Sequence, residues 1–351
     1  MKLISFYPGP SRVYSNIPEY LYEAYMDGVL SFNHRSDEFS AIMSDVIGLL
    51  HEKLLVPKDY KVVFLSSATE CWEVIAQSLT EKKSFHFYNG AFGEKWMRYA
   101  KKLRPKVSGK EFDREKELPS DHKIDTDVEV ICITSSETSN GTMVRDSLIA
   151  QVKANNPKCL VAVDATSSMA GVDHDFTCAD IWYASVQKCF GLPAGMAVMI
   201  LSPAAVERSA EIGEDSHYNS LNFVLGHFDN HQTPFTPNVM DIYLLKRTLE
   251  HSKGAAYVYE KLLKRRKEFE QFIEAYDDFR FLIKNDRVRS DTVFAIKHKE
   301  PAKVQKLALG SSIMLGSGYA ELKKSTFRVA NFPAIKKREV DKLRTFFKTH
   351  F

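Results

Sequence analysis

Cysteine is scarce in this sequence: five among 351 residues, at Cys71, Cys132, Cys159, Cys178 and Cys189. The number is odd, the spacing is wide and no Cys-x-x-Cys occurs. Neither a disulfide scaffold nor a structural zinc site is expected, and a reducing cytoplasm is the default compartment. Long apolar runs are also missing. The best, Ala194 to Leu201, suits a buried strand rather than a membrane helix of about 20 residues. The opening stretch Met1 to Pro10 has no extended apolar segment and no small-residue cleavage site, so no signal peptide is expected. Charge of one sign is lacking too. Lys and Arg number 48 against 45 Asp and Glu, a formal net charge of +3. So small an excess argues against a dedicated nucleic-acid or membrane-surface binder. No Gly-x-Gly-x-x-Gly follows a strand, since Gly310, Gly316 and Gly318 have the wrong spacing. A nucleotide-dependent oxidoreductase is therefore disfavoured.

What is present is ordinary globular material: 44% hydrophobic, 26% charged and 12% aromatic residues. That is enough for a sizeable core, and the length suggests two domains. Ile17 to about Leu55 has helical spacing, with Phe39, Ile42, Met43, Val46, Ile47 and Leu50 on one face. Short apolar runs read as strands: Lys61–Leu65, Ser84–Tyr88, Val128–Thr134, Cys159–Asp164, Ile181–Ser185 and Met196–Leu201. Most are separated by helical stretches. Continuous apolar strands of this kind imply a mostly parallel sheet covered on both faces. After Pro234 and Pro237 the character changes to a long charged amphipathic helix, Met240 to about Tyr276. Weaker strands follow around Thr292–Lys297 and Thr326–Val329. The expected class is α/β. A three-layer α-β-α large domain would span residues 1–240, and a smaller α+β C-terminal domain 241–351. The first 15 or so residues would form an arm packing near the small domain.

Active groups in open α/β sheets cluster outside the carboxyl ends of the strands. Asp164 ends one predicted strand, and Lys188 lies just past another. Thr138, in Ser136-Glu137-Thr138-Ser139-Asn140-Gly141, follows a third. The small polar run Ser66 to Thr69 joins a strand to a helix. Each alone is bland. A lone lysine is most often a snorkelling surface group, and an Asp ending a strand often anchors a loop. A lysine drawn out of water, however, becomes an amine nucleophile able to form a Schiff base. A Ser/Thr run entering a helix offers free N–H groups to an anion. Taken together they meet the needs of pyridoxal phosphate chemistry: a lysine, a carboxylate for the pyridinium nitrogen, a phosphate cradle and a flat group against the ring. The 24-residue interval from Asp164 to Lys188 is one crossover plus one strand, which would set the two side chains on neighbouring strand ends.

Over nearly its whole length the chain resembles the class V aminotransferase family of the fold type I pyridoxal phosphate enzymes, in particular its phosphoserine aminotransferase branch. The residues carrying the resemblance are Phe6-Tyr7-Pro8-Gly9-Pro10, Asn33-His34-Arg35-Ser36-Asp37-Glu38-Phe39 and Glu137-Thr138-Ser139-Asn140-Gly141. They continue in Gln187-Lys188 with Gly191-Leu192-Pro193-Ala194-Gly195, in Gln232-Thr233-Pro234-Phe235-Thr236, and in Phe327-Arg328-Val329-Ala330-Asn331. All stand in the family's order.

The resemblance implies roles. Lys188 would bind the cofactor covalently and shuttle a proton, and Asp164 would pair with the pyridinium nitrogen. Ala68 and Thr69, helped by Gln187, would hold the cofactor phosphate. Phe92 would stack on the ring and Thr138 would contact its phenolic oxygen. Thr233, with Gln232 in place of the family's asparagine, would reach a cofactor across a homodimer interface. Arg328 would grip the substrate α-carboxylate through its planar fork. His34 and Arg35 would touch the distal anion. The expected reaction exchanges an amino group between an amino acid and a 2-oxo acid, O-phosphoserine and 2-oxoglutarate fitting the resemblance best. Ser67-Ala68-Thr69 replaces a glycine-rich turn common in the family.

One departure bears on the substrate. The family's phosphoserine enzymes carry a second His-Arg pair shortly before the carboxylate arginine. This chain has Gly318-Tyr319-Ala320-Glu321-Leu322-Lys323-Lys324-Ser325. Lys323 or Lys324 would supply charge without the fork. Three other readings compete. An alanine-, serine- or aspartate-type class V transaminase shares the machinery. A desulfurase or lyase needs a mobile cysteine, and none lies beyond Cys189. A nucleic-acid binder would use Lys261, Lys264, Arg265, Arg266 and Lys267, but Glu260, Glu268 and Glu270 surround them. His227 and His231 have zinc-pair spacing without the following Glu, so no metal is expected.

Overall fold

The computed structural model describes residues 3–104 and 106–351. Met1 and Lys2, the start of the stretch read for a leader, lie outside them. A seven-stranded sheet forms the larger unit. Its order is Lys61–Leu65, Ala197–Leu201, Ile181–Ser185, Leu160–Asp164, Val130–Thr134, Ser84–Tyr88 and Val107–Glu111. Ala197–Leu201 runs antiparallel to both neighbours, and the other pairs are parallel. Val161, Val163, Ile181, Trp182 and Ala184 have no solvent exposure, because helices cover both faces of the sheet. The edge strand Val107–Glu111 was not expected from its sequence. It is polar and largely exposed, so it carries no apolar alternation.

Helix Asp37–Leu54 begins at Ser36, whose hydroxyl accepts the Phe39 N–H at 3.3 Å. It buries Phe39, Ile42, Met43, Val46, Ile47 and Leu50, each worth about 2 kcal/mol of transfer free energy. The helical segment expected from Ile17 to Leu55 is therefore two helices, Ile17–Met26 and Asp37–Leu54. The chain turns at Gly28, which takes the left-handed φ of 70° that glycine adopts without strain.

The long helix expected from Met240 to Tyr276 is also divided, into Val239–Glu250 and Ala255–Glu274. Gly254, with φ of 89°, makes the break. The first of these helices packs on Asp37–Leu54. Ile242, Leu244, Leu245, Leu249 and Ala255 therefore belong to the larger core. The packing changes near Gly254, whereas the composition shifts near residue 240.

A five-stranded sheet forms the second unit. Its order is Ile4–Phe6, Ile313–Ser317, Thr326–Ala330, Val293–Lys297 and Arg280–Phe281. Ile4–Phe6 pairs in parallel with Ile313–Leu315, so the chain's opening residues join its last third. Phe269, Ile273, Phe279, Phe327 and Phe347 fill the core beneath.

The basic cluster on the long helix is split among faces. Arg266 is buried against Glu270, Asp286 and Asp291. Arg265 donates to the Phe332 and Ile335 carbonyls at 2.7 and 2.6 Å. Lys261, Lys264 and Lys267 point outward. His227 lies against the Phe223 carbonyl at 3.0 Å, and His231 sits in a left-handed turn. They are not paired on a helix face.

Candidate active site

A cavity of about 440 Å³ opens at the carboxyl ends of the large sheet's strands. The N-terminal arm and the second sheet complete its walls, through Tyr7 to Pro10 and through Ser317, Gly318, Tyr319, Lys323 and Arg328. Lys188 and Asp164 both line it, each at or just past the end of a neighbouring parallel strand.

Lys188 is buried. Its Nζ donates to Thr138 Oγ1 at 2.9 Å and to Ser167 Oγ at 3.0 Å, and these two hydroxyls bond each other. Burial pulls the Lys188 pKa down to about 8, against the opposing pull of Asp164 and Glu137. Nζ lies 5.3 Å from the centre of the Phe92 ring. Gly9 passes so close that a Cβ there would meet Lys188 Cε at 2.9 Å. Asp164 Oδ1 accepts the Thr166 N–H at 2.9 Å. Burial raises the Asp164 pKa, while that N–H and the nearby Lys188 lower it.

Phe92 sits in the first turn of helix Ala91–Leu103. The N–H groups of Phe92 and Gly93 both donate to Glu137 Oε2 at 3.1 Å. Glu137 Oε1 takes the Ser139 N–H at 2.9 Å and its hydroxyl at 2.6 Å. One buried carboxylate thus fixes both the aromatic ring and the loop bearing Thr138. Gly90 makes room for it, since a Cβ there would stand 2.4 Å from Glu137 Cγ.

Ala68 opens helix Ala68–Val74, capped by the Ser67 hydroxyl on the Glu70 N–H at 3.1 Å. The Ala68 N–H donates to Ser185 Oγ at 2.9 Å. Ala68, Thr69, Ser185 and Gln187 lie together on one wall.

Arg328 is buried on strand Thr326–Ala330. Its Nε donates to the Ser317 carbonyl at 2.7 Å and Nη1 to the Thr138 carbonyl at 2.8 Å. Among the described residues no carboxylate pairs with it. Burial accordingly lowers its pKa. The Tyr319 ring lies beneath the guanidinium at 5.6 Å and against Phe92 at 5.0 Å.

A buried amine, a buried acid on the next strand and an unpaired guanidinium converge on one cavity. The class V aminotransferase family model matches residues 8–343. The chain belongs to the class V aminotransferases. It is 27% identical over 350 residues to a phosphoserine aminotransferase of Rhodococcus opacus, covering 95% of this chain and 91% of that one. A Corynebacterium glutamicum phosphoserine aminotransferase is 26% identical over 351 residues, covering 95% and 91%. The solved structure of a phosphoserine aminotransferase from Cytophaga hutchinsonii superposes with a TM-score of 0.96, at 32% identity and 99% coverage of both chains.

Class V aminotransferases are pyridoxal-phosphate-dependent transaminases, and the walls here fit that cofactor. Trp72, Thr134 and Thr166 line the cavity, and Trp72 Nε1, Thr134 Oγ1 and Thr166 Oγ1 are buried without hydrogen-bond partners. Buried polar atoms left this way cost stability unless a ligand meets them. Lys188 is a buried amine, Asp164 a buried acid and Phe92 a flat face on the same cavity, groups of the kind such a ring requires. Of these lining residues, Ser185, Trp72, Thr134, Thr166, Tyr7 and Tyr319 were not singled out from the sequence of this aminotransferase. Ser185 alone carried a signal, as a hydroxyl at a strand end three residues before Lys188.

Four expected residues stand elsewhere in the single chain. Arg35 Nη1 donates to Gln232 Oε1 at 3.2 Å and to the Thr233 carbonyl at 2.5 Å, and its Nη2 to the Pro234 carbonyl at 3.3 Å. His34 Nδ1 lies 3.5 Å from Thr236 Oγ1. His34, Arg35, Gln232 and Thr233 form one patch of this aminotransferase, and none lines the cavity that holds Lys188. Of the two lysines preceding Arg328, Lys323 lines the cavity and Lys324 does not.

Proposed function

We propose that this aminotransferase moves the amino group of O-phosphoserine to 2-oxoglutarate, as a cytoplasmic enzyme of serine biosynthesis. The observation that carries the reading is the charge on the cavity wall. Lys95, Lys188, Lys323 and Arg328 line it against one carboxylate, Asp164. A substrate with two anionic ends balances that excess, and the buried Arg328 holds its end more strongly than the exposed Lys323 holds the other. The curated relatives bearing the phosphoserine aminotransferase name support the same substrate.

Pyridoxal phosphate, when bound, supplies the electron sink that makes a substrate Cα–H acidic and carries the amino group between the two substrates. The chain's own residues do the rest. Arg328 binds the α-carboxylate through Nη2, its free edge, while Nε and Nη1 keep the fork rigid. With a pKa near 8, Lys188 presents a usable fraction of neutral amine at neutral pH, and Nζ takes the proton leaving Cα. Thr138 and Ser167 hold Nζ on line. Asp164 keeps a negative charge at the end of the ring site, and Phe92 covers one face. Ala68, Thr69, Ser185 and Gln187 form the phosphate wall, where N–H and hydroxyl groups meet an anion at a helix start.

The same reading makes the protein a homodimer. The Arg35 patch of one subunit, with Gln232 and Thr233, would complete the cofactor site of its partner. Tyr22, Tyr25 and Met26 stand exposed on helix Ile17–Met26, and an exposed apolar group of this kind favours association. Light scattering is expected to give twice the chain mass, and a monomer at micromolar concentration would sink the shared site. All five cysteines are free, in keeping with a reducing compartment. Among the described residues no helix is long and apolar enough to cross a membrane.

A desulfurase reading fares poorly. Cys189 is buried, its Sγ lies 3.4 Å from the Ser167 carbonyl, and burial pushes its thiol pKa up. A desulfurase needs an exposed thiolate. The deciding experiment mixes the loaded enzyme with single amino acids and follows the visible absorbance of the cofactor. O-phosphoserine is expected to bleach it fastest. If it fails while alanine, serine or aspartate succeeds, the phosphoserine assignment falls and transamination stands.

A further inference from the structure

A second cavity, of about 790 Å³, lies between the long helix Ala255–Glu274 and the C-terminal helix Lys337–His350. It shares no lining residue with the cavity that holds Lys188, and transamination makes no use of it. Tyr257, Lys261, Lys264 and Arg265 line it from the first helix, at the spacing of one helical face. Lys337, Val340 and Arg344 line it from the second. Tyr14, Thr248 and His251 bring the large unit to the same wall.

That wall has two characters. Seven of its residues are Lys or Arg, against Glu268 and Asp341. Among the described residues only Arg344 of the seven pairs with a carboxylate, Glu268 at 3.4 Å. Lys261 and Lys253 rest instead on the Tyr257 ring, 4.3 and 5.0 Å from its centre. Arg265 is spent on neutral oxygens of Asn331, Phe332 and Ile335. The second character is apolar, from Tyr14, Val258, Leu262, Ile335 and Val340. Cations alone would suit any phosphate, and an apolar wall alone any hydrocarbon. Both together in one concave site select a molecule with several negative charges and a flat, weakly polar part. The volume falls within the roughly 300–1,000 Å³ of small-molecule pockets. It admits a mononucleotide and excludes a nucleic-acid helix.

We propose that this cavity binds a nucleoside di- or triphosphate, with Lys261 and Lys264 among the groups that hold the phosphates and the apolar wall taking the base. The cations are largely on exposed side chains, so the affinity is moderate and falls with added salt. The lysine run on the long helix, which reads as a nucleic-acid patch by composition, thus divides by position. Lys261, Lys264 and Arg265 face the cavity, and Lys267 does not.

Equilibrium dialysis of the cofactor-loaded enzyme against ATP tests this, with adenosine and inorganic tripolyphosphate as competitors. ATP is expected to bind with a Kd below about 1 mM, and each competitor at least tenfold more weakly, because each carries half of the recognised chemistry. Lys261→Glu and Lys264→Glu should each weaken ATP by about tenfold or more, while kcat/KM for the amino donor without nucleotide stays as in the parent. Lys267→Glu makes the same charge change on the same helix, off the cavity, and should leave ATP binding unaltered. Cofactor absorbance reports that each variant is folded and loaded. Absence of ATP binding at millimolar concentration overturns the proposal. So does an affinity indifferent to Lys261 and Lys264, or lowered equally by Lys267→Glu, which would place the nucleotide elsewhere or on diffuse surface charge. Tripolyphosphate binding as tightly as ATP would reduce the site to an anion patch and overturn the nucleotide assignment.

Discussion

Arg328 Nη1 donates to the carbonyl of Thr138, and the hydroxyl of the same Thr138 receives Lys188 Nζ. One residue of the large unit thus holds the Arg328 guanidinium through its backbone and the Lys188 amine through its side chain. The two functions can be separated by mutation.

Thr138→Val keeps the carbonyl and the volume but removes the hydroxyl. Lys188 loses one of its two acceptors, at a cost of about 1–3 kcal/mol for a hydrogen bond from a charged donor. The expected result is a fall in kcat of roughly tenfold or more, with the KM of the amino donor little changed. Steady-state kinetics decide it. A rise in KM with unaltered kcat would show that the loop, not the amine, had moved.

The buried lysine sets a pH-dependent stability. Its folded pKa of about 8 lies below the unfolded value of 10.5. Between those values the unfolded chain binds more protons, so apoenzyme stability from this group rises with pH over that window. Below pH 8 the charged amine is a fixed burden of about 3 kcal/mol, because each tenfold loss of proton affinity on folding costs roughly 1.4 kcal/mol. Lys188→Met should therefore stabilise the apoenzyme at pH 7. Its advantage should shrink as the pH passes from 8 toward 10.5. Urea melts of both apoproteins at several pH values measure this. A constant difference across the range would contradict it. The variant should also lack the visible absorbance after cofactor addition.

Gly90→Ala tests the Glu137 brace. The new Cβ would stand 2.4 Å from Glu137 Cγ and 2.8 Å from Asn140 Nδ2, so the carboxylate must move. Its four hydrogen bonds to Phe92, Gly93 and Ser139 loosen with it. The predicted outcome is a loss of cofactor affinity of at least tenfold with the global fold retained. Equilibrium titration of the apoprotein with pyridoxal phosphate reads the first, and circular dichroism the second.

Asp291 joins the two units, and its removal should be felt in stability more than in turnover. Its Oδ2 accepts from Arg145 at 2.5 Å and from Tyr259 at 2.8 Å, and its Oδ1 from Arg266. Burial pushes its pKa up, but the two arginines win and hold it below the ordinary carboxylate value. Its contribution is thus present above the unfolded pKa of about 3.9 and is lost as pH falls below that value. Asp291→Asn should cost about 3–5 kcal/mol at pH 7, seen as a lower denaturant midpoint. The deficit against the parent should narrow in acid.

The central strands were legible because burial on both faces demands unbroken apolar runs, as in Val161-Ala162-Val163. Lys188 and Asp164 were legible because strand ends of a parallel sheet share one side. The breaks at Gly28 and Gly254 were hidden, since helical spacing is present on both sides of each glycine. Val107–Glu111 was hidden because an edge strand needs no apolar face. Trp72 and Tyr319 gave no sign of their place, because an aromatic residue on a helix or loop looks like core until the facing wall is known. His34 and Arg35 were read as neighbours of the distal anion. In one chain their partners are the Gln232–Thr236 loop, and only spatial packing distinguishes a fork spent on backbone carbonyls from a free one.

The pairing of Ile4–Phe6 with Ile313–Leu315 governs when the cavity can exist. On the ribosome, Pro8 and Gly9 emerge well before the residues around Ile313, and until those follow their strand has nothing to pair with. So distant a contact is slow to form and late to be secured. The large sheet can assemble during synthesis with its reactive lysine uncovered. The roof over that lysine is laid only after the residues around Ile313 have been made.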